Sequence, residues 1–183
     1  MKKRSYFITI ITITLFIFSL NSCGPDVEQQ RNEIIREAYF KVVSYAVENG
    51  TNFSNGCQIG NTSGDAQLTF GSSTVKVKYT IKTWANNFAP QTATEIGDLT
   101  SFRIASDCGF QDCSNYYNVS IRGRWESREA GSGDIVLAIS KTNELVVYIF
   151  GDGNWQYYSV MTIPDTKLII ETINSAKEKL AEL

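Results

Sequence analysis

Residues 73–84 read STVKVKYTIKTW. Val75, Val77, Tyr79 and Ile81 fall on one side of an extended chain, and Lys76, Lys78, Thr80 and Lys82 on the other. Successive side chains of a strand point to opposite faces, so this alternation describes a half-buried strand with one wet face. Upstream, AQLTF (66–70) faces it across Gly71-Ser72 as a hairpin partner. Downstream, LTSFRIA (99–105), YYNVSIRGRW (116–125), DIVLAIS (134–140), ELVVYIF (144–150) and NWQYYSVMTI (154–163) are further strand candidates. Turn residues separate the last of these: Gly131 and Gly133, Lys141 to Asn143, and the GDGN run at 151–154. Two polar stretches rich in Gly, Asn, Ser and Thr, residues 50–65 and 85–98, read as loops. The count is about seven antiparallel strands.

Helical periodicity brackets this region. Between Pro25 and Asn49, Val27, Ile34, Ile35, Ala38, Tyr39, Val42, Val43, Ala46 and Val47 recur every three or four positions, and Gly50 is placed to end the helix. At the C-terminus, Ile169, Ile173, Ala176, Leu180 and Leu183 form one stripe, with Asp165 or Thr166 available as a cap. Two amphipathic helices need a shared apolar surface. The expected fold is therefore α+β in a single domain: an antiparallel sheet with the N- and C-terminal helices packed on one face.

The N-terminus has the three parts of an export signal. Lys2, Lys3 and Arg4 precede an apolar run from Tyr6 to Leu20, shorter than the roughly 20 residues of a spanning helix, and small polar residues follow. Leu20-Asn21-Ser22-Cys23 then resembles the lipobox of bacterial lipoproteins. Ser22 fits the small residue favoured before the cysteine, while Asn21 is larger than usual at its position. The resemblance implies a signal peptide over residues 1–22, cleavage before Cys23, and a lipid on the Cys23 thiol that anchors residues 23–183 to a membrane. Because the first helix begins almost at Cys23, the tether is short.

Composition narrows the function. The chain has 17 basic and 19 acidic residues. Removing residues 1–22 takes three bases and no acid, leaving 14 against 19 and a net charge near −5. Nucleic-acid binding wants a basic footprint, so nucleic acid is not the expected partner. There is no histidine, which removes the commonest general base, a common zinc ligand and every triad that uses one. Acids such as Glu126 with Glu129, or Asp107 with Asp112, read as solvated loop residues rather than a catalytic pair. The run GDGNW (151–155) begins like a calcium loop, but Ile163 stands where the bidentate acid would be. We therefore expect no catalytic residue, metal, cofactor or small-molecule substrate.

With Cys23 lipidated, Cys57, Cys108 and Cys113 remain for an oxidising compartment, enough for one bridge. Loop entropy favours a long bridge, Cys57–Cys108, by about 4 kcal/mol against about 2 for the short Cys108–Cys113 loop. Proximity favours the short one. The weight is placed on Cys57–Cys108.

Two groups could bind a partner. Lys76, Lys78 and Lys82 lie along one strand face, and Arg122 and Arg124 alternate along another; adjacent strands would merge them into a basic patch. Trp155 and Tyr157 share a strand face within the wider set Tyr116, Tyr117, Tyr148 and Tyr158, and such residues suit interfaces. Signal, lipobox, size and missing catalytic residues together resemble the small surface lipoproteins of spirochaetes. That resemblance implies an outer-membrane surface module binding host proteins such as complement regulators, plasminogen or matrix proteins. The alternative is a periplasm-facing envelope lipoprotein that binds another bacterial protein, as an assembly factor or immunity-type inhibitor.

Overall fold

A computed structural model describes residues 26–81, 90–151 and 154–183. The lipobox with Cys23, the signal segment, Lys82, Trp84 and the centre of the GDGN turn lie outside the described residues. Helix α1 (Val27–Asn49) is followed by strands β1 (Asn52–Ile59), β2 (Thr62–Phe70), β3 (Thr74–Ile81), β4 (Gln91–Ala105), β5 (Tyr116–Ser127), β6 (Gly131–Ser140), β7 (Glu144–Gly151) and β8 (Trp155–Thr162), then helix α2 (Thr166–Ala181). Residues 31–183 make one compact unit.

The α+β class and the antiparallel pairing stand, and the open sheet of about seven strands is corrected. Eight strands pair each with the next, and β1 pairs with β8 from Asn52↔Thr162 to Ile59↔Trp155, closing a barrel. Closure removes the exposed edges that an open sheet must protect. The additional strand is β1, which came from a stretch read as loop. It turns into β2 through Gly60 (φ +57°) and Asn61, with Ile59 opposite Thr62. The second supposed loop supplies the first half of β4, whose residues 91–98 pair with β3.

A closed barrel has no open face for helices, so their placement is corrected too. The α1 residues Ile35, Ala38, Tyr39, Val42, Val43 and Ala46 and the α2 residues Ile169, Ile173 and Ala176 are buried in the same apolar cluster as the inward residues of the barrel. Outward-facing but buried Val136, Ala138 and Val146 are not in that cluster. The helices thus close one end of the barrel, where the chain enters β1 and leaves β8. Tyr39 packs on Phe102 at 5.2 Å between ring centres, and the Lys177 ammonium donates to Ser106 Oγ at 2.9 Å, both at this end. The ends of both helices follow the sequence. Gly50 N–H donates to the Ala46 carbonyl, and a Cβ at Gly50 would stand 2.6 Å from that oxygen. Asp165 caps α2 by accepting from Lys167 N–H at 2.9 Å.

The disulfide is Cys108–Cys113, with Cα atoms 5.7 Å apart, and Cys57 is a buried free thiol. The Cys57–Cys108 pairing is therefore corrected. Cys57 faces the barrel interior from β1, whereas Cys108 sits in the β4–β5 loop outside the wall. That loop folds over the outer surface of β5–β7. Phe110 packs on Tyr116 and Tyr148, and the Ser120 hydroxyl donates to the Asp107 carbonyl at 2.7 Å.

Candidate functional site

The lysine row and the arginine pair do not merge. Lys76 and Lys78 are exposed on the outer face of β3, where their β4 neighbours are Ile96 and Thr94. Arg122 and Arg124 lie on β5, with the whole of β4 between. Across that gap stand Asp98 and Glu126, paired with each other. The single basic patch imagined from the sequence is absent among the described residues.

The arginines instead gain a third member. β4 carries an irregularity between Thr100 and Arg103, where Ser101 takes φ +52°. Ahead of it, Gly97 and Leu99 face the interior; beyond it, Phe102 and Ile104 do so and Arg103 turns outward. The extra residue is a β-bulge that reverses the face of everything after it. Arg103 then stands directly across from Arg122. Like charges so placed repel, so the arrangement invites an anion. Arg103, Arg122 and Arg124 line a cleft of about 330 Å³ with Gly109, Val136 and Phe150, the last 37% exposed. Asp107 pairs with Arg122. Asp134 accepts from Arg124 at 3.0 Å, and Ser132 accepts from the same guanidinium at 2.7 Å. Arg103 is exposed and has no ion pair among the described residues, which leaves the cleft one positive charge in excess.

Trp155 and Tyr157 face inward, not outward. Tyr157 is 1% exposed, and its hydroxyl donates to Glu95 Oε2 at 3.0 Å. Tyr79 donates to Glu95 Oε1 at 3.2 Å. Burial, then the Glu95 charge and hydrogen bond, push the Tyr79 and Tyr157 hydroxyls above their usual range. Trp125 closes the group, with Trp155 at 5.7 Å and Tyr157 at 6.0 Å between ring centres, and its indole N–H donates to the Val75 carbonyl at 3.0 Å. A Cβ at Gly97 would collide with the Trp125 ring, and one at Gly133 with Trp155. Of the remaining aromatic candidates, Tyr148 and Tyr158 stack on the outer wall at 5.8 Å, and Tyr117 is exposed.

Arg103 and Glu95 escaped the sequence reading. For Arg103 a signal existed: strict alternation from Leu99 would bury Arg103 and expose Phe102, a conflict that only a bulge resolves. For Glu95 no local signal exists, because the polar run 85–98 around it lacks the alternation of a strand. No family model, curated protein or solved structure matches the chain.

Proposed function

We propose that the chain is a lipid-anchored, non-enzymatic binding protein of the outer membrane, and that its outer arginine cleft takes acidic side chains of a protein partner. The observation that carries this reading is the convergence of Arg103, Arg122 and Arg124 on one cleft beside the exposed Phe150 ring. Guanidinium groups offer forked donors that match carboxylates, and an adjacent apolar ring adds contact area. Trp155 and Tyr157 drop out of this surface because they point into the barrel, and Lys76 and Lys78 are too far round the wall to join it. The anchor rests on the Leu20–Cys23 pattern. Host proteins on the outer surface, among them complement regulators, plasminogen and matrix proteins, are the partners this reading puts first.

The test uses the mature chain immobilised beside an Arg103→Glu variant, with those host proteins passed over both at low and at physiological salt. Salt-sensitive binding that weakens about tenfold in the variant is expected, because one charge in the cleft changes sign. Equal binding by both forms removes the cleft from the account. Protease treatment of intact cells decides the side: a domain degraded before lysis faces outward, and a protected one turns the search to envelope partners.

A further inference from the structure

The outer wall of β4 and β5 carries three consecutive outward rungs. Arg103 faces Arg122, Thr100 faces Arg124, and Asp98 faces Glu126. The first and last of these join like charges, positive at one end and negative at the other. Like charges directly opposite each other destabilise a sheet, and here the conflict occurs twice with opposite sign. Two residues separate successive rungs, so the basic and acidic ones stand ~13 Å apart along the wall. Arg103, Asp98 and Glu126 are exposed, and none of them has an ion pair among the described residues.

The acidic end has its own hollow, of about 320 Å³. Asp98, Glu126 and Glu129 line it with Arg128, Thr94 and the exposed Ile96 side chain. The middle rung is neutral. Arg124 is bridged to Asp134 and bonded to Ser132, while the Thr100 hydroxyl donates to Glu126. At the same level the exposed Phe150 ring stands on β7 opposite Asp134.

This wall is its own complement. A two-fold axis lying in the contact plane, across the strands at the Thr100–Arg124 rung, reverses the strand direction and sets a second copy face to face with the first. Arg103 then meets Asp98 of the other copy, Arg122 meets its Glu126, and each contact occurs twice. The charged groups that meet their own kind at the axis are the Arg124–Asp134 pairs, which are already neutralised.

We propose that the outer face of β4 and β5 docks a second copy of this chain as a two-fold dimer, held by Arg103–Asp98 and Arg122–Glu126 contacts between copies. This dimer rests on the reading that the arginine cleft takes carboxylates, and it names the chain's own acidic hollow as a source of them. Charge pairs across an interface fix register and speed encounter more than they add affinity, so the dimer is salt-sensitive and frees the cleft when it dissociates.

Sedimentation velocity over a concentration series, at low and at physiological salt, tests this on residues 23–183 carrying Cys23→Ser, which removes the lipid and any bridge through that thiol. A monomer–dimer equilibrium that weakens as salt rises is expected. Asp98→Lys and Arg103→Glu should each weaken it by about tenfold or more, since each sets like charges against each other in two contacts at once. An equimolar mixture of the two variants should dimerise as the wild-type chain does, because both 98–103 contacts of the mixed pair again join opposite charges. Circular dichroism melts establish that each variant is folded. A wild-type chain that stays monomeric at low salt overturns the proposal. So does a dimer that neither substitution weakens, or a mixture of folded variants that fails to restore it. Arg103-dependent binding of a host protein by a monomeric chain would overturn the dimer alone and leave the cleft reading intact.

Discussion

At the end of the barrel where the chain enters and leaves, Ile139, Leu145, Met161 and Phe102 pack with Tyr39, Val42, Val43, Ile169 and Ile173 of the two helices in one apolar cluster. At the other end the same strands present Glu95, two tyrosine hydroxyls and part-exposed rings. One end excludes water and holds the fold. The other adds hydrogen bonds to a buried carboxylate where the first relies on apolar packing. The difference shows how a small barrel holds its two ends by different means.

Four expected outcomes sharpen or break that contrast. Leu145→Ala at the sealed end should cost the most, about 2–5 kcal/mol in denaturant unfolding, because it removes buried methyl groups and leaves a cavity. Tyr157→Phe at the mouth should cost less, about 1–3 kcal/mol, by leaving one Glu95 oxygen without its donor. If it costs as much as Leu145→Ala, the two ends weigh alike and the contrast fails.

The third outcome concerns pH. Burial raises the Tyr39 hydroxyl, and burial with Glu95 raises Tyr157, so both stay neutral in the fold after the unfolded chain ionises near pH 10. The unfolded state then binds fewer protons. Stability is whole below pH 10 and falls above it, by about 1.4 kcal/mol per pH unit for each such group. Melting curves between pH 9 and 11 check the slope, and Tyr157→Phe should reduce it. The smallest effect is expected at Tyr39, which is fully buried with a hydroxyl that has no partner among the described residues. Tyr39→Phe should raise stability by about 1 kcal/mol, since burying an unpaired hydroxyl is unfavourable. A loss instead would place a bound group at that oxygen.

The strands that the sequence displayed openly are those with apolar residues on long runs. β6 and β7 are the clearest: their inward residues fill the interior, and Val136, Ala138 and Val146 are buried on the outside, Val136 against Gly109 of the stapled loop. β1 was hidden because its inward positions are Asn55, Cys57 and Ile59, and Gly56 lies beneath the outer Tyr158 ring. The Gly60-Asn61 pair was a legitimate hairpin signal that the surrounding Gly, Asn and Ser obscured. The first half of β4 was hidden for another reason. Ala93 and Gly97 face inward but are small, because Trp125 from the next strand fills the space at Gly97. Such complementarity is long-range and leaves no local period. Barrel closure has the same character, as it depends on β1 meeting β8 roughly a hundred residues later.

The candidate site was legible in part. Arg122, Arg124, Trp155 and Tyr157 all stand out in the sequence, yet they lie on opposite sides of the wall, the arginines outside and the rings in the core. Alternation assigns a residue to a face but does not say which face is the inner one until the sheet closes. The short Cys108–Cys113 bridge prevailed because Cys57 faces the interior while Cys108 lies outside the wall, so the greater loop entropy of the longer link has no geometry to act through.

Residue-level hydrogen exchange on the mature chain tests the division along the barrel axis most directly. The account predicts the slowest amides around Ile139 and Leu145, exchanging only with global unfolding, and faster exchange around Tyr79, Glu95 and Trp155 through local openings. Equal protection at both ends, or greater protection at the mouth, would contradict it.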